Sequence, residues 1–371
     1  MVTALLTLQI VTAAAGADPF AFFQPSITIT TDDRRQLDRG EPIARVLPAK
    51  DLEVAVLAAV PVNIDGDRLV AWIRRIEEPK KSAYVLAIRR FSDPPRLEDL
   101  ADLRLDDEEL SEILACRPGR CGVKLSAAEM STLRRAAAEA GNAWKATLEG
   151  EFRRVALERV REYLTTGAIG PFENHGDKIW PAQEFAKLVD HSTFLVHHLP
   201  AFAEQLRAVP RSPDPCVESF LYWSKERVAN RPISSVTHVN IIRGDDAASP
   251  DVLVAGKEIF STHYINASLG LTALMRGEPG GPNYLVYVNR SQVDVLHGMF
   301  AGIIRWFMQR RLKDEAANVL QGLRRRLESG EPPPVIVRGA PRQTLRPIYR
   351  PSGERLHLWC SRRLWVSLMS G

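Results

Sequence analysis

Histidines and acidic residues gather in two short stretches that could carry acid–base or metal chemistry. The first stretch is ENHGD at 173–177, and the second is DHSTFLVHHL at 190–199. Adjacent residues on a helix do not face each other, so neither the pair 190–191 nor the pair 197–198 is a ready-made catalytic dyad. His191 and His198 are seven residues apart and share one side of a helix, but no acidic residue stands where a zincin motif requires it. We therefore predict no catalytic residue, no metal site and no cofactor.

Motifs of several common enzyme classes are also missing from the sequence. It contains no G-x-S-x-G, no Walker A and no G-x-G-x-x-G pattern, so hydrolase, phosphate-loop and dinucleotide functions have no support. A cyclase- or hydrolase-type enzyme stays open as an alternative. It requires His238, His263 or His297 to face a cavity beside a carboxylate.

The four cysteines point to an oxidising compartment. Cys116 and Cys121 flank RPGR, a turn sequence that brings them within bridging distance, and we predict a small loop disulfide between them. A metal site at this pair is not expected, because no second ligand pair lies nearby in the sequence. Cys216 and Cys360 are isolated, and two free thiols or a long-range bridge are both open.

The first 17 residues have the features of an export signal. Leu5 to Ala15 is apolar and uncharged, and Ala15-Gly16-Ala17 fits the small-x-small rule for signal peptidase, although the positive n-region is absent. The alternative is a buried N-terminal helix, since the run is too short to span a membrane. We predict a mature chain that begins near Asp18 and is periplasmic or secreted.

Composition and charge favour an ordinary globular protein over a nucleic-acid binder. The chain has 371 residues, of which 45% are hydrophobic and 25% charged, and its formal net charge is only +4. Nucleic-acid binders concentrate more positive charge on one face. The basic run around Arg310 and Arg324 is diluted by acidic residues, so we expect no nucleic-acid partner.

The hydrophobic periodicity changes twice along the chain. A strand at 53–63, a helix from about residue 67 with Asp67 as its cap, and a strand in SAYVLAIRRFSDPP at 82–95 come first. A helical stretch follows at 97–210, where Ser126 and Glu129 have capping-box spacing. From residue 217 onward the period is two, which predicts antiparallel strands. In one of these strands we expect five alternate residues to share a face: Glu258, Phe260, Thr262, Tyr264 and Asn266.

Residues 283–328 begin as an aromatic strand and continue as the longest helix of the chain. Ser291 followed by Asp294 has capping-box spacing, which predicts a helix start at Gln292. The first half of this helix is apolar almost all round, as in a segment buried on several sides, and the second half is amphipathic. Val295 to Met308 is too short and too charged to cross a membrane.

This order of elements resembles the START-like, or helix-grip, superfamily of lipid-binding and polyketide-cyclase-related domains. The resemblance is carried by EVAVLAAVPVNIDGDRLVAWIRRIEE at 53–78 and by the strand and helix at 283–328, and it covers 52–91 and 217–328. An antiparallel sheet with a helix across its face leaves a cavity between the two. We therefore expect an α+β fold, with a curved antiparallel sheet that grips a long C-terminal helix and a large helical insertion or subdomain at 97–210.

The expected domains are a signal peptide at 1–17, an extended lead-in at 18–51, the START-like domain at 52–328 and a Pro/Arg-rich tail at 329–371. The resemblance implies an exported protein that holds an apolar lipid-, sterol- or polyketide-like ligand. An interaction protein that acts through 97–210 is an alternative, peripheral membrane contact is open, and so is the oligomeric state. We predict that seven residues line the pocket, with core packing as the alternative for any one of them: Trp223, Phe260, His263, Tyr264, Tyr287, Phe300 and Trp306.

Overall fold

An eight-stranded antiparallel sheet organises the part of the chain that the structure describes. This computed structural model covers residues 18–174, 177–207, 216–228, 231–244, 249–296 and 301–330. The sheet order is β1-β2-β10-β9-β8-β7-β6-β3, and β4 pairs with β5 in a separate hairpin. The strands are β1 Ile43–Val46, β2 Glu53–Val62, β3 Val85–Arg90, β4 Phe172–Asn174, β5 Asp177–Ile179, β6 Glu218–Val228, β7 Arg231–Arg243, β8 Val252–Ser261, β9 Ile265–Met275 and β10 Asn283–Val293.

The helices found within the described ranges lie on both faces of this sheet. They are α1 Thr31–Asp38, α2 Gly66–Ile73, α3 Asp107–Ala115, α4 Ala127–Glu139, α5 Trp144–Thr166, α6 Pro181–His191, α7 Thr193–His198, α8 Pro200–Arg207 and α9 Ala301–Ser329. The predicted capping box of Ser126 and Glu129 is present at the start of α4. Helix α2 is capped by Asp65, not by Asp67 as predicted, because Asp65 is the residue whose side chain accepts a hydrogen bond from the Arg68 amide.

We call the two faces of the sheet the front and the back. On the front face, side chains such as Val60 and Leu285 pack against α2 and against Leu320 and Leu327 of α9. On the back face, one cluster packs against α1, α6, α7 and α8, and a second packs against α3, α4 and α5. Helix α9 runs mainly along β1 and β2, so it covers the β1–β2 side of the front face.

The predicted α+β class, with a large antiparallel sheet and a C-terminal helix, is confirmed. The predicted start of that helix at Gln292 is wrong. Strand β10 pairs with β2 and β9 on its two sides as far as Gln292 and Val293. Hydrogen bonds to two neighbouring strands outweigh the local capping-box spacing of Ser291 and Asp294. A short 3-10 turn follows at Asp294–Leu296.

The segment predicted to be an extended lead-in contains α1 and β1 and is part of the core. Phe20, Phe22, Phe23 and Ile27 are buried in the back-face cluster, and the apolar area that they remove from water accounts for their docking. The predicted signal peptide at 1–17 and nearly all of the predicted tail, 331–371, lie outside the described residues. Among the helices that are described, none is long and apolar enough to cross a membrane.

Candidate functional site

A row of polar side chains crosses the front face in the middle of the sheet. The strand register places Tyr222 opposite Thr237, Thr237 opposite Glu258, Glu258 opposite Ser268, and Ser268 opposite Ser291. Directly opposite residues on one face of a sheet have neighbouring side chains. The row therefore forms a continuous polar strip across five strands, which is unusual for the interior of a sheet that is covered by helices.

The strip lies next to two glycines that leave the floor of the front face without side chains. Gly256 and Gly270 are opposite each other on β8 and β9. Among the described residues, a β-carbon on Gly256 would approach only Thr237, at 3.4 Å, and the carbonyl of Gly270, at 3.8 Å. No described atom of α2 or α9 is within 4 Å of that position. A glycine inside a strand often marks a place where a ligand approaches the backbone.

On the central strands β8, β9 and β10, the exposure of side chains differs between the two faces of the sheet. Front-face residues here are half-buried, whereas back-face residues between them, such as Lys257, Leu269 and Val288, are buried. Because β8, β9 and β10 each pair with a strand on both sides, this exposure does not come from an open sheet edge. The exposed area of these residues therefore faces the space above the front face. We call this space the front-face groove, and its half-buried floor residues are Gly256, Glu258, Ser268, Gly270, Thr272, Tyr287 and Asn289.

An ion pair stands at one side of the groove. Lys80, in the segment after α2, donates to Glu226 over 2.7 Å and to the Tyr222 hydroxyl over 3.2 Å, and Ser224 donates to the same Glu226 oxygen. Burial would raise the pKa of Glu226, but Lys80 and Ser224 lower it. Burial would likewise lower the pKa of Lys80, which Tyr222 and Glu226 instead raise. Both groups are therefore charged at neutral pH and satisfy each other.

Glu258 differs from Glu226 because no cation is bound to it. Its Oε1 atom is buried and has no hydrogen-bond partner among the described residues. Burial, with a further contribution from Glu226, raises the pKa of Glu258 to about 8, and Lys124 and Lys80 oppose the rise. Its side chain is nevertheless half-buried and not fully buried. With a pKa of about 8, its carboxyl is protonated at neutral pH.

Lys124 closes the end of the groove near the β8–β9 turn. It belongs to the helical insertion, precedes α4 and is 1% exposed. Its Nζ donates to Asn266 over 2.7 Å and lies 3.2 Å from an Asp294 carboxylate oxygen. Burial lowers the pKa of Lys124 to about 8, against the opposing effect of Asp294. The groove is thus bounded by the insertion as well as by α9.

A second set of polar front-face contacts orders the side of the groove below α9. The Ser291 hydroxyl is 2.9 Å from both the Ser268 hydroxyl and Asn289 Oδ1, and the Asn289 amide group donates to the Ser268 hydroxyl over 3.2 Å. Satisfied hydrogen bonds of this kind fix side-chain positions. In contrast to this ordered side, Glu258 keeps an unpartnered atom.

The predicted pocket residues are distributed over three regions of the molecule. Tyr287 is on the floor of the groove. Trp223 and Phe260 are buried on the back face against the insertion. The void beside them has a volume of about 10 Å³, which is enough for at most one water molecule. Tyr264 packs near Met308 and Leu312 of α9, Trp306 is 54% exposed on α9, and Phe300 lies outside the described residues.

The alternation predicts that Glu258 and Phe260 share one face of β8, but they lie on opposite faces. A β-bulge explains the difference. Val236 is opposite Phe260, but the next residue, Thr237, is opposite Glu258, so Ile259 is an extra residue in β8. A bulge shifts the alternation by one position. Glu258 consequently points to the front, and Phe260 joins the back-face cluster with Ile259.

The two candidate histidines that can be described, His238 and His263, lie in packed surroundings. His263 has Glu112 as a partner, with 3.1 Å from Nε2 to Oε2, and its Nδ1 is 2.9 Å from the Thr262 hydroxyl. His238 is on the back face, 2.8 Å from the hydroxyl of Tyr163. His263 thus meets the requirement for a neighbouring carboxylate, but it is 4% exposed and lies at the β8–β9 turn. His297 is outside the described residues.

His191 and its neighbour Asp190 have different partners, as expected for adjacent helical residues. His191 Nδ1 is 2.5 Å from Glu53 Oε2, and Arg290 binds the other oxygen of Glu53. Asp190 pairs with Arg207 of α8. The His191–Glu53 contact attaches α6 to the sheet, and the Asp190–Arg207 pair attaches α6 to α8. In the described parts of the chain, no group of three or more potential metal ligands is present.

The predicted disulfide between Cys116 and Cys121 is present. It closes the turn between α3 and Lys124, where Arg117 and Arg120 form an isolated bridge. None of the described cysteines is free, and Cys360 lies outside the described residues. The disulfide therefore stabilises the loop that carries Lys124 to the groove.

Comparisons with known proteins give only distant similarities. No protein-family profile matches the chain, and no curated protein matches it. Among solved structures, TTHA0849 from Thermus thermophilus is 13% identical over 36% of this chain and 86% of that one, with a TM-score of 0.22. The di-domain ARO/CYC BexL from the BE-7585A biosynthetic pathway is 13% identical over 55% of this chain and 61% of that one, with a TM-score of 0.23. Neither TM-score is high enough to support an argument about this chain.

Proposed function

We propose that this chain is a binding protein that holds a small organic ligand in the front-face groove. The observation that carries the proposal is the half-buried floor around Gly256 and Gly270, in the centre of a sheet whose back face is closely packed. A concave site with mainly apolar walls and a few convergent polar groups is the usual form of a small-molecule site.

The ligand that suits this groove is largely apolar and carries polar groups. The front-face cluster beside the groove is apolar and includes Ala58 and Val60 of β2, and the ring of Tyr287 lies on the floor. Glu258 and Ser268 supply polar atoms at the centre. A lipid-, sterol- or polyketide-like molecule with oxygen substituents fits this combination better than a plain hydrocarbon, which would leave the polar atoms unsatisfied.

The strand order supports the START-like assignment that we proposed from the sequence. β2 is followed by α2 and β3, which form the beginning of the domain, and β10 returns to pair with β2 before α9 begins. β3 and β6 are adjacent in the sheet, so the insertion at 97–210 leaves and re-enters the domain at one edge. The strands on both sides of the insertion thus form one continuous sheet.

Filling the floor of the groove tests the proposal. Gly270→Leu should place a side chain in the groove and remove ligand binding, because the nearest described atoms to its β-carbon are on Tyr287 and Asn289, at 3.7 and 3.8 Å. Native mass spectrometry of the purified full chain, with solvent extraction of any co-purified molecule, measures the occupancy. We expect a bound species in the natural protein and a loss of about tenfold in occupancy in the variant.

Gly150→Leu is the matched control, since a β-carbon at Gly150 of α5 has nothing within 4 Å. It should retain the bound species. Circular dichroism shows whether Gly270→Leu is folded, and Gly256→Ala, a smaller change on the same floor, replaces it if it is not. Equal occupancy in the floor variants and the control would overturn the proposal.

We also propose that the protein is exported. The support is the apolar run before Ala15-Gly16-Ala17 in the sequence and the disulfide between Cys116 and Cys121, since such bridges persist in oxidising compartments. N-terminal sequencing of the protein recovered from its native cells tests this. A chain that begins near Asp18 supports export, and a chain that keeps Met1 or Val2 contradicts it.

A further inference from the structure

We propose that Glu258 is the hydrogen-bond donor of the front-face groove, and that the ligand is an uncharged molecule that presents an oxygen acceptor to it. This inference rests on the proposed binding function and narrows the class of ligand. The acceptor is a carbonyl, ether or hydroxyl oxygen. Carboxylate and phosphate ligands are disfavoured at the same place.

The position of Glu258 is the first support. It lies on β8, in the middle of the polar row, with Thr237 and Ser268 on either side. It is next to the two glycines in its strand pair, where the floor has no side chains. Its unpartnered Oε1 is the kind of buried polar atom that a bound ligand would satisfy.

The charges around the groove are the second support. Lys80 is bound to Glu226, and Lys124 is bound to Asp294, so each of these lysines already has its own carboxylate. Glu258 is left without an ion-pair partner among the described residues, and a buried carboxyl in that position retains its proton. A neutral carboxyl group has one O–H donor, which a carboxylate lacks.

The same arrangement disfavours an anionic ligand. A carboxylate or phosphate beside Glu258 would also lie near the charged Glu226, and the two lysines that could compensate are already paired. Transfer of an unpaired anion into such a site is costly. Arg305 of α9 is a further cation to consider, because its Nε atom is buried and has no hydrogen-bond partner among the described residues. It shares a helix side with Met308 and Leu312, which pack near Val54, and Val54 is opposite Ser291 at the β10 end of the polar row. Three strand-to-strand steps along that row separate Val54 from Glu258.

A pH titration of ligand affinity tests the proposal on the full chain. The probe is Nile red, an uncharged dye with a carbonyl oxygen, whose fluorescence reports binding. In the natural protein its Kd should rise about fivefold between pH 6.5 and pH 9.5, which corresponds to the loss of one hydrogen bond. In Glu258→Gln the Kd should stay within about twofold of the pH 6.5 value throughout, because the amide donates at every pH.

Two further measurements distinguish a neutral Glu258 donor from the alternatives, which are another titrating group at the groove and a preference for anionic ligands. Glu258→Leu should weaken Nile red about fivefold at pH 6.5, since it removes the donor and keeps the volume. In displacement of Nile red at pH 7, 1-dodecanol should act at about tenfold lower concentration than dodecanoate, which has the same chain length and a negative charge.

Three results would overturn the inference. If Glu258→Gln keeps the full pH dependence, the titrating group is another one at the groove, such as Lys124 or Tyr287. If dodecanoate displaces the dye better than 1-dodecanol and Arg305→Leu abolishes the difference, the groove selects anions through Arg305. If Nile red binds equally to the natural protein and Gly270→Leu, the dye is outside the groove and the proposed function itself fails.

Discussion

Glu53 is a fully buried carboxylate that is held from two sides at the start of β2. Arg290 on β10 binds one oxygen and His191 on α6 binds the other. The side chains of Glu53 and Arg290 are 0% and 7% exposed, so the environment that surrounds the pair is poorly solvated. The energetic consequence of such a pair lies mainly in what happens when one partner is removed.

Removal of the arginine should therefore destabilise the protein strongly. Arg290→Met leaves Glu53 buried with only His191 beside it, and we expect the free energy of unfolding to fall by about 3 kcal/mol. Urea denaturation followed by circular dichroism measures the change. The double variant Glu53→Gln/Arg290→Met should recover part of the loss, because no uncompensated charge remains. A single variant as stable as the natural protein would show that the pair is not buried in solution.

Single residues of the groove were only partly predictable from the sequence. Tyr287, which the aromatic strand predicts as a pocket residue, lies on the floor of the proposed groove. Alternation predicts Glu258 and Phe260 on one face, and the bulge at Ile259 puts them on opposite faces. Bulges depend on pairing with a neighbouring strand, which has no local signal at this position. Gly256 and Gly270 carry a local signal, since glycine is unfavourable inside strands, but their alignment requires the register.

Helix α9 has two different halves, and its second half attaches it to the domain. Leu320 and Leu327 are buried against the front-face cluster at 3% and 0% exposure. Glu328 accepts a hydrogen bond from the Asn63 amide, and Arg326 donates to the carbonyls of Lys81 and Pro79. Both the apolar and the polar contacts of this half lie close to the segment that bears Lys80.

Truncation of the buried leucine should loosen α9. Leu327→Ala should lower the free energy of unfolding by about 3 kcal/mol, through lost burial and a new cavity. Val319→Ala is the matched control on the same helix, because Val319 is 57% exposed, and it should change stability by no more than about 0.5 kcal/mol. Chemical denaturation of both variants makes the comparison. Similar losses in the two variants would contradict the packing of α9 described above.

Elements with long and regular patterns were predicted well, and their ends were not. The amphipathic second half of α9 and the capping box of Ser126 and Glu129 are determined by local sequence. The end of β10 is determined by its two partner strands, so the spacing of Ser291 and Asp294 was misleading. The sequence predicts residues 20–23 as part of an extended lead-in. Their burial depends on distant residues of α7, as in the contact of Phe22 with Phe194, and has no local signal.

The pH dependence of global stability is a property to which several buried groups contribute. Burial raises the pKa of Glu258 to about 8, so between about pH 4.5 and pH 8 the native state keeps a proton that the unfolded chain loses, and stability falls as pH rises. Burial lowers the pKa of His238 to about 4 and that of Lys257 to about 8. These two groups act in the opposite direction, in the windows of about pH 4–6.5 and pH 8–10.5.

The difference between the natural protein and Glu258→Gln isolates the contribution of the carboxyl. The variant should gain stability relative to the natural protein as pH rises from 5 to 8, by roughly 1–3 kcal/mol, a range reduced because Glu258 is only half-buried. Thermal or urea unfolding at four pH values measures this difference. A constant difference between the two proteins across this window would mean that Glu258 is ionised in the native state at neutral pH.

Lys124 links two parts of the molecule that are separate in the sequence. It is carried by the insertion, yet its amine contacts Asn266 and Asp294 and acts electrostatically on Glu258. A ligand that changes the protonation or position of Glu258 must therefore also change the energy of the loop between α3 and α4, and the coupling is reciprocal. Occupancy of the proposed groove would then be coupled to the stability of this loop, which the disulfide between Cys116 and Cys121 also constrains.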